Sequence, residues 1–195
     1  MYRDAILEAA ERVFARCGFA GTRMAEVAAE AGLATGTLYN YFANRDELLS
    51  SLIARRSEEL MAGVKVAVAA GGATSDRLVE VLRTSFQHFH DHRALFAVLT
   101  AAAGISGGHM ASIAQRCMES QRSYQAVIAD VLRPAVEAGE LRADVPLSFL
   151  VGFLTGAVHG VLRAWAAAGV EEERPLVDQA AEVVDLFLRG VSSRS

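Results

Sequence analysis

Between Ala34 and Phe42 the sequence reads ATGTLYNYF, a run of side chains that hydrogen-bond without carrying charge. Thr35, Thr37, Tyr39 and Asn40 can each donate or accept, and Gly36 among them leaves the backbone bare. The chemistry this suits is the reading of base edges. Asn bonds adenine in bidentate fashion, a Thr methyl meets a thymine methyl, and a glycine lets the backbone approach the groove floor. Two arginines stand nearby where anions are favoured: Arg23 at the start of one expected helix and Arg45 in the first turn of another. Free amides and the positive end of the helix dipole already attract phosphate at such ends.

Other constellations carry less. His88 and His92 in QHFHDH fall one helical turn apart, with His90 between them. A metal site needs three or four ligands with a supporting shell, and Asp91 and His109 have no motif spacing that would supply them. These histidines read as solvent-facing or capping residues, with no metal and no cofactor. Cys17 and Cys117 are too far apart for a zinc motif and read as buried small hydrophobes rather than a disulfide. There is no Gly-rich phosphate loop, nucleophile elbow or paired-carboxylate spacing, so enzymatic function is not expected.

The uncharged run must be held by other elements, and the residues before it provide them. Counting Met24 as the first of twenty positions, Val27, Ala31, Leu33, Leu38 and Tyr41 form an inner apolar face. Ala28 is small where two helices would cross, and Gly32 can take the positive φ of a tight turn between them. This is the spacing of a helix-turn-helix, over about 24–43. Ile6, Leu7, Ala10, Val13 and Phe14 predict a first helix from Arg3 to Arg16, stopped at Gly18. Asn44 with Glu47 has capping-box form and opens a fourth helix near Arg45.

Taken together, a helix ending ARCGF, then TRMAEVAAEAG, GTLYNYF and NRDELL, resemble the tetracycline-repressor (TetR) family of transcriptional regulators. The resemblance is close over residues 3–56 and extends to length and helical character beyond. It implies direct base readout by Thr35, Gly36, Thr37 and Asn40. Phosphate contact falls to Thr22, Thr37, Tyr41 and Arg45, with Tyr39 in either role. Two positions depart from the family. Ala34 stands where a capping Ser is common, which costs about 1 kcal/mol of helix stability, and Ala25 stands where a basic residue is frequent.

Composition fits an all-α chain of about nine helices: hydrophobic residues make up 52% of 195 and alternating strand patterns are scarce. The expected domains are a DNA-binding reader over 1–56 and a helical ligand-binding and dimerisation body over 57–195. The net charge of −4 is not spread evenly. In 1–56, Arg3, Arg12, Arg16, Arg23, Arg45, Arg55 and Arg56 balance Asp4, Glu8, Glu11, Glu26, Glu30, Asp46 and Glu47. Any DNA binding must therefore come from placed contacts and not from a broad basic surface. Nothing at the N-terminus looks like a signal peptide, and a cytoplasmic location is expected.

In the body, periodicity predicts helices near 75–91, 94–103, 110–138 with a kink at Pro134, 146–168 and 175–190, Pro146 and Pro175 each in a first turn. The 146–168 helix is apolar, but His159 and Arg163 interrupt it before the roughly 20 residues that cross a bilayer; it reads as a buried helix, with no membrane partner. Gly152, Gly156, Gly160, Ala164 and Ala168 recur every four residues and make a nearly bare face for close helix packing. With Leu176, Ala180, Val183, Val184 and Phe187 of the last helix it predicts a four-helix homodimer interface. An effector pocket would draw on Phe86, Phe89, Phe96, Met110, Met118, Tyr124, Phe149, Phe153 and Trp165, with His88, His109, His159 and Arg163 as polar groups, and so would take a mostly apolar small molecule. The function expected is a ligand-responsive regulator, a repressor binding a near-palindromic operator as a homodimer and released by its effector. The alternative is a small-molecule-binding or interaction protein of the same fold without operator binding.

Overall fold

The computed structural model describes residues 2–102, 108–168 and 174–191. Among them every regular element is helical: α1 Tyr2–Gly21, α2 Met24–Glu30, α3 Thr35–Tyr39, α4 Arg45–Ala69, α5 Thr74–Asp91, α6 Arg93–Ala102, α7 Gly108–Glu137, α8 Leu147–Ala168 and α9 Ala180–Val191. A 3-10 turn, Leu176–Gln179, precedes α9, and Pro175 is its N-cap. Pro146 likewise stands just ahead of α8, its carbonyl accepting from Phe149 and Leu150. Both prolines thus lie outside the helix they introduce. Pro134 sits in the last turn of α7 and, having no amide hydrogen, removes the helical bond to the Asp130 carbonyl.

The chain divides into two compact units, residues 1–58 with 92–119, and residues 59–91 with 120–195. The first unit is larger than the expected reader. Its core joins Ile6, Leu7, Ala10, Val13 and Phe14 of α1 to Val27, Ala28, Leu38, Phe42, Leu48, Leu49, Leu52 and Ile53, and it also takes in Leu95 of α6 and Ile113 of α7. Helical periodicity shows that α6 has an apolar face but not which neighbour covers it; here α1 does.

Ion pairs explain how a neutral reader spends its charge. Arg12 donates to Glu30 at 2.8 Å, Arg55 to Asp4 at 3.0 Å and Arg56 to Glu11 at 3.0 Å. The other Glu11 oxygen lies 2.7 Å from His92 Nδ1. His92 is therefore partly buried in a carboxylate pair, not facing solvent as its sequence setting predicts. Arg12 and Arg16 also hold the Glu30 carboxyl below its usual range, the Arg12 hydrogen bond having the larger effect.

In the second unit α5 buries Leu78, Val81, Leu82 and Phe86, and α7 buries Ile128, Val131 and Leu132. On α8 the buried positions are Leu150, Val151, Leu154, Thr155, Val158, Leu162 and Trp165, which form one stripe only. Leu147–Ala167 is long and apolar enough to cross a membrane by length and composition, yet only 33% of its apolar window is buried within the chain. The expectation of a buried helix is corrected: half of α8 is open.

Candidate functional site

The geometry around α3 begins with glycine. Gly18 (φ 69°, ψ 170°) breaks α1 in a conformation other residues avoid, ending the straight helix where the apolar pattern stops. After α2, Gly32 at φ 68° closes the turn: Gly32 N–H donates to Ala29 O at 3.0 Å and Leu33 N–H to Ala28 O at 2.8 Å. That pairing satisfies the last carbonyls of α2 and sends the chain into α3. Leu38 is fully buried beneath α3, while Thr35, Gly36, Tyr39 and Asn40 are exposed and Thr37 is half-buried. An uncharged, hydrogen-bonding helix face is thus held outward by one buried leucine.

Three details differ from the sequence reading. Tyr41 is 37% exposed, and the inner position belongs to Phe42, which is 1% exposed. Phe42 stands four residues after Leu38, its N–H donating to Leu38 O at 3.1 Å, and so shares the buried face, leaving Tyr41 beside Tyr2 with ring centroids 6.4 Å apart. Thr22 is 4% exposed and its hydroxyl donates to Gly18 O at 2.7 Å. Its side chain secures the α1–α2 connection and is withdrawn from the phosphate-binding set. Arg45 Nη1 donates to Ala20 O at 2.8 Å and Thr22 O at 3.3 Å, with the guanidinium 4.3 Å over the Phe19 ring. That arginine clamps the same connection, leaving Nε and Nη2 for another acceptor.

Arg23 is the N-cap of α2, exposed and paired with no other described residue. Ala34 caps α3 without a side-chain hydrogen bond. At α4 the cap is made: Glu47 N–H donates to Asn44 Oδ1 at 2.8 Å, and Glu47 Oε2 accepts from Ala43 N–H at 2.7 Å, one residue earlier than a standard capping box.

In the second unit, Ser85 was not singled out by sequence, yet it supplies the polar centre of α5. Its hydroxyl donates to Val81 O at 2.7 Å and so accepts from the Tyr124 hydroxyl at 3.0 Å. Burial pushes the Tyr124 phenol up to about 12. Phe86 and Trp165 are buried and Phe89 half-buried. Other expected effector contacts do not gather there. Phe96 belongs to α6 and the first unit. Phe153, at 57% exposure, and His159 are on the open face of α8, because their helical phase is that of the glycines. The side chains of His109 and Met110 lie outside the described residues. Cys17 is exposed, not buried, as the last residue before the Gly18 break; Cys117 is half-buried, and burial raises its thiol.

The bare stripe of α8 has no covering among the described residues. A Cβ at Gly152, Gly156 or Gly160 would meet nothing within 4 Å. Phe149 (61% exposed), Phe153 and Ala164 share the open face, and Leu186 of α9 (73% exposed) stands out beside Val183. Phe187, expected at the interface, is instead buried under Phe153, ring centroids 6.3 Å apart. Amphipathic phase explains it: Val184, Phe187 and Val191 face the chain's own core.

Comparison with known proteins accords with this geometry. Residues 6–52 match the family model for bacterial regulatory proteins of the tetR family, and residues 71–191 match the tetracyclin repressor-like C-terminal domain. The HTH-type transcriptional repressor AcnR of Corynebacterium diphtheriae is 28% identical over 193 residues, 99% of this chain and 93% of that protein. The fatty acid metabolism regulator protein of Bacillus subtilis is 20% identical over 189 residues, 97% of this chain and 95% of that one. The crystal structure of FadR from Bacillus subtilis in complex with stearoyl-CoA superposes with a TM-score of 0.83 at 20% identity, covering 96% of this chain and 98% of that one. With both family models matched, over residues 6–52 and 71–191, the chain belongs to the TetR family and is a DNA-binding, ligand-responsive transcriptional regulator, not an enzyme.

Proposed function

We propose that the protein represses transcription as a homodimer, binding a near-palindromic operator in the cytoplasm and leaving it when a mostly apolar small molecule enters the body. The observation that carries the reading is the outward, uncharged face of α3. Thr35, Gly36, Thr37 and Asn40 read base edges, while Arg23, Tyr41 and the free donors of Arg45 hold phosphate, with Tyr39 serving either. One such reader makes few contacts, so specific affinity requires two on a two-fold axis, entering successive major grooves about 34–36 Å apart or a multiple of a turn.

The pairing surface is the open face of α8 with Val183 and Leu186 of α9. Three glycines inside one helix cost about 1 kcal/mol each against alanine. No described residue comes within 4 Å of a Cβ at any of them, which supports a second copy as the source of the compensating contact. For the effector, the Bacillus subtilis relative was crystallised with stearoyl-CoA. A long apolar group suits a body that buries Phe86 and Trp165 and holds Ser85 and Tyr124 as a hydrogen-bonded polar pair. Effector and operator then oppose each other reciprocally, by about 1–3 kcal/mol in a typical case.

Selection of bound fragments from random DNA by the purified protein tests binding, symmetry and spacing together. Recovery of one inverted repeat is expected. A pool with no shared inverted repeat would overturn the operator-binding reading and leave a ligand-binding protein of this fold.

A further inference from the structure

The open face of α8 is edged by charge of opposite sign on its two sides. Along one side runs α7, tied by the Gln125 Nε2 to Thr155 Oγ1 bond of 3.4 Å. Between α7 and α8 lies a groove of about 410 Å³ lined by Arg122, Ala126, Ala129, Arg133, Ser148 and Val151. Arg122 and Arg133 are exposed on one stripe of α7, about 16 Å apart by helical rise. Neither pairs with a carboxylate among the described residues. Along the other side α9 packs through Phe187 under Phe153, and Asp178, Glu182 and Asp185 stand exposed at spacings of one turn. Among the described residues Glu182 and Asp185 pair with Arg174 and Arg189, at 2.9 Å each, in exposed pairs of the kind that contribute little and exchange readily.

We propose that in the homodimer the acidic stripe of α9 from one copy settles into the α7–α8 groove of the other, so that Arg122 and Arg133 meet Asp178, Glu182 and Asp185 across the two-fold axis. The steric reason lies in α8. Its Phe153 flank is already occupied by its own α9, so a second α9 entering over the bare stripe comes to rest against the opposite flank, where the groove is. An isologous interface makes each such contact twice. The glycines permit close approach at any register, whereas four charged edges that must match fix one register and reject others. This inference rests on the homodimer of the proposed function.

The test is a charge swap read by sedimentation. One variant carries Arg122→Glu with Arg133→Glu, a second carries Glu182→Arg with Asp185→Arg, and helical content and melting temperature are followed for each. All four positions are exposed, so both variants fold. Each alone is expected to weaken self-association at low salt by about tenfold or more, through like charges brought together. An equimolar mixture has complementary edges at both contacts and is expected to regain wild-type association. Unchanged association of both variants, or no recovery on mixing while both stay folded, would overturn the charge pairing and leave the dimer standing. A monomeric wild type would instead overturn the homodimer itself.

Discussion

Asn40 and Arg45 lie five positions apart and do different work. Asn40 is exposed with its amide free for one base pair, so Asn40→Ala should relax preference at a single position per half-site, by about 1–3 kcal/mol, measured by binding to a panel of operator variants. Equal loss on every sequence would contradict base reading. Arg45 is committed to Ala20 O and Thr22 O before DNA arrives. Arg45→Ala should therefore lower the melting temperature as well as weaken binding to all sequences and flatten its salt dependence; a variant with unchanged melting would sink the clamp. Tyr124 makes the pH argument. Its phenol, ordinarily near 10, is pushed up to about 12 by burial. Between those values the unfolded chain releases a proton that the folded chain keeps, so stability is complete below pH 10 and falls as pH rises toward 12. Tyr124→Phe should remove that alkaline loss, as followed by denaturant melts from pH 8 to 12. Much of this residue scale was legible in the sequence, since Gly32 and Leu38 announce the turn and the buried foot of α3. Tyr41 and Phe42 were not: two adjacent aromatics offer either one to the core, and where α3 ends decides between them.

At the scale of elements, α3 is a five-residue helix whose first orphan amides receive no side chain. Ala34→Ser should stabilise the reader by about 1 kcal/mol through a hydroxyl cap, visible as a higher denaturation midpoint with unchanged slope. No gain would mean that the Ala34 backbone cannot host a cap. Helix periods in the sequence located nearly every element, because each buries one apolar stripe. They could not assign partners. That α6 covers α1, or that Glu11 of α1 bonds both Arg56 of α4 and His92, depends on residues 45 and 81 positions away, and no local pattern carries such a link. The glycine repeat of α8 was legible for the opposite reason, since its spacing is that of a single helix ridge.

For the whole molecule, the proposed function makes DNA binding depend on dimerisation. A Cβ at Gly156 meets nothing within 4 Å among the described residues, so Gly156→Leu should leave the fold intact and even favour the helix. Sedimentation should nevertheless show a monomer, and operator affinity should collapse with it. A Gly156→Leu protein that remains dimeric would remove α8 from the interface. The wild-type melting temperature should rise with protein concentration, as it does when folding and association are linked. One property of α8 reaches past this chain. A helix face stripped of side chains carries no signature, and in a cell making several proteins of this architecture it would accept a paralogue's helix as readily as its twin's. Keeping each repressor's subunits from being shared, and each operator from being read by mongrel pairs, must then be the task of whatever stands at the rim of that blank surface.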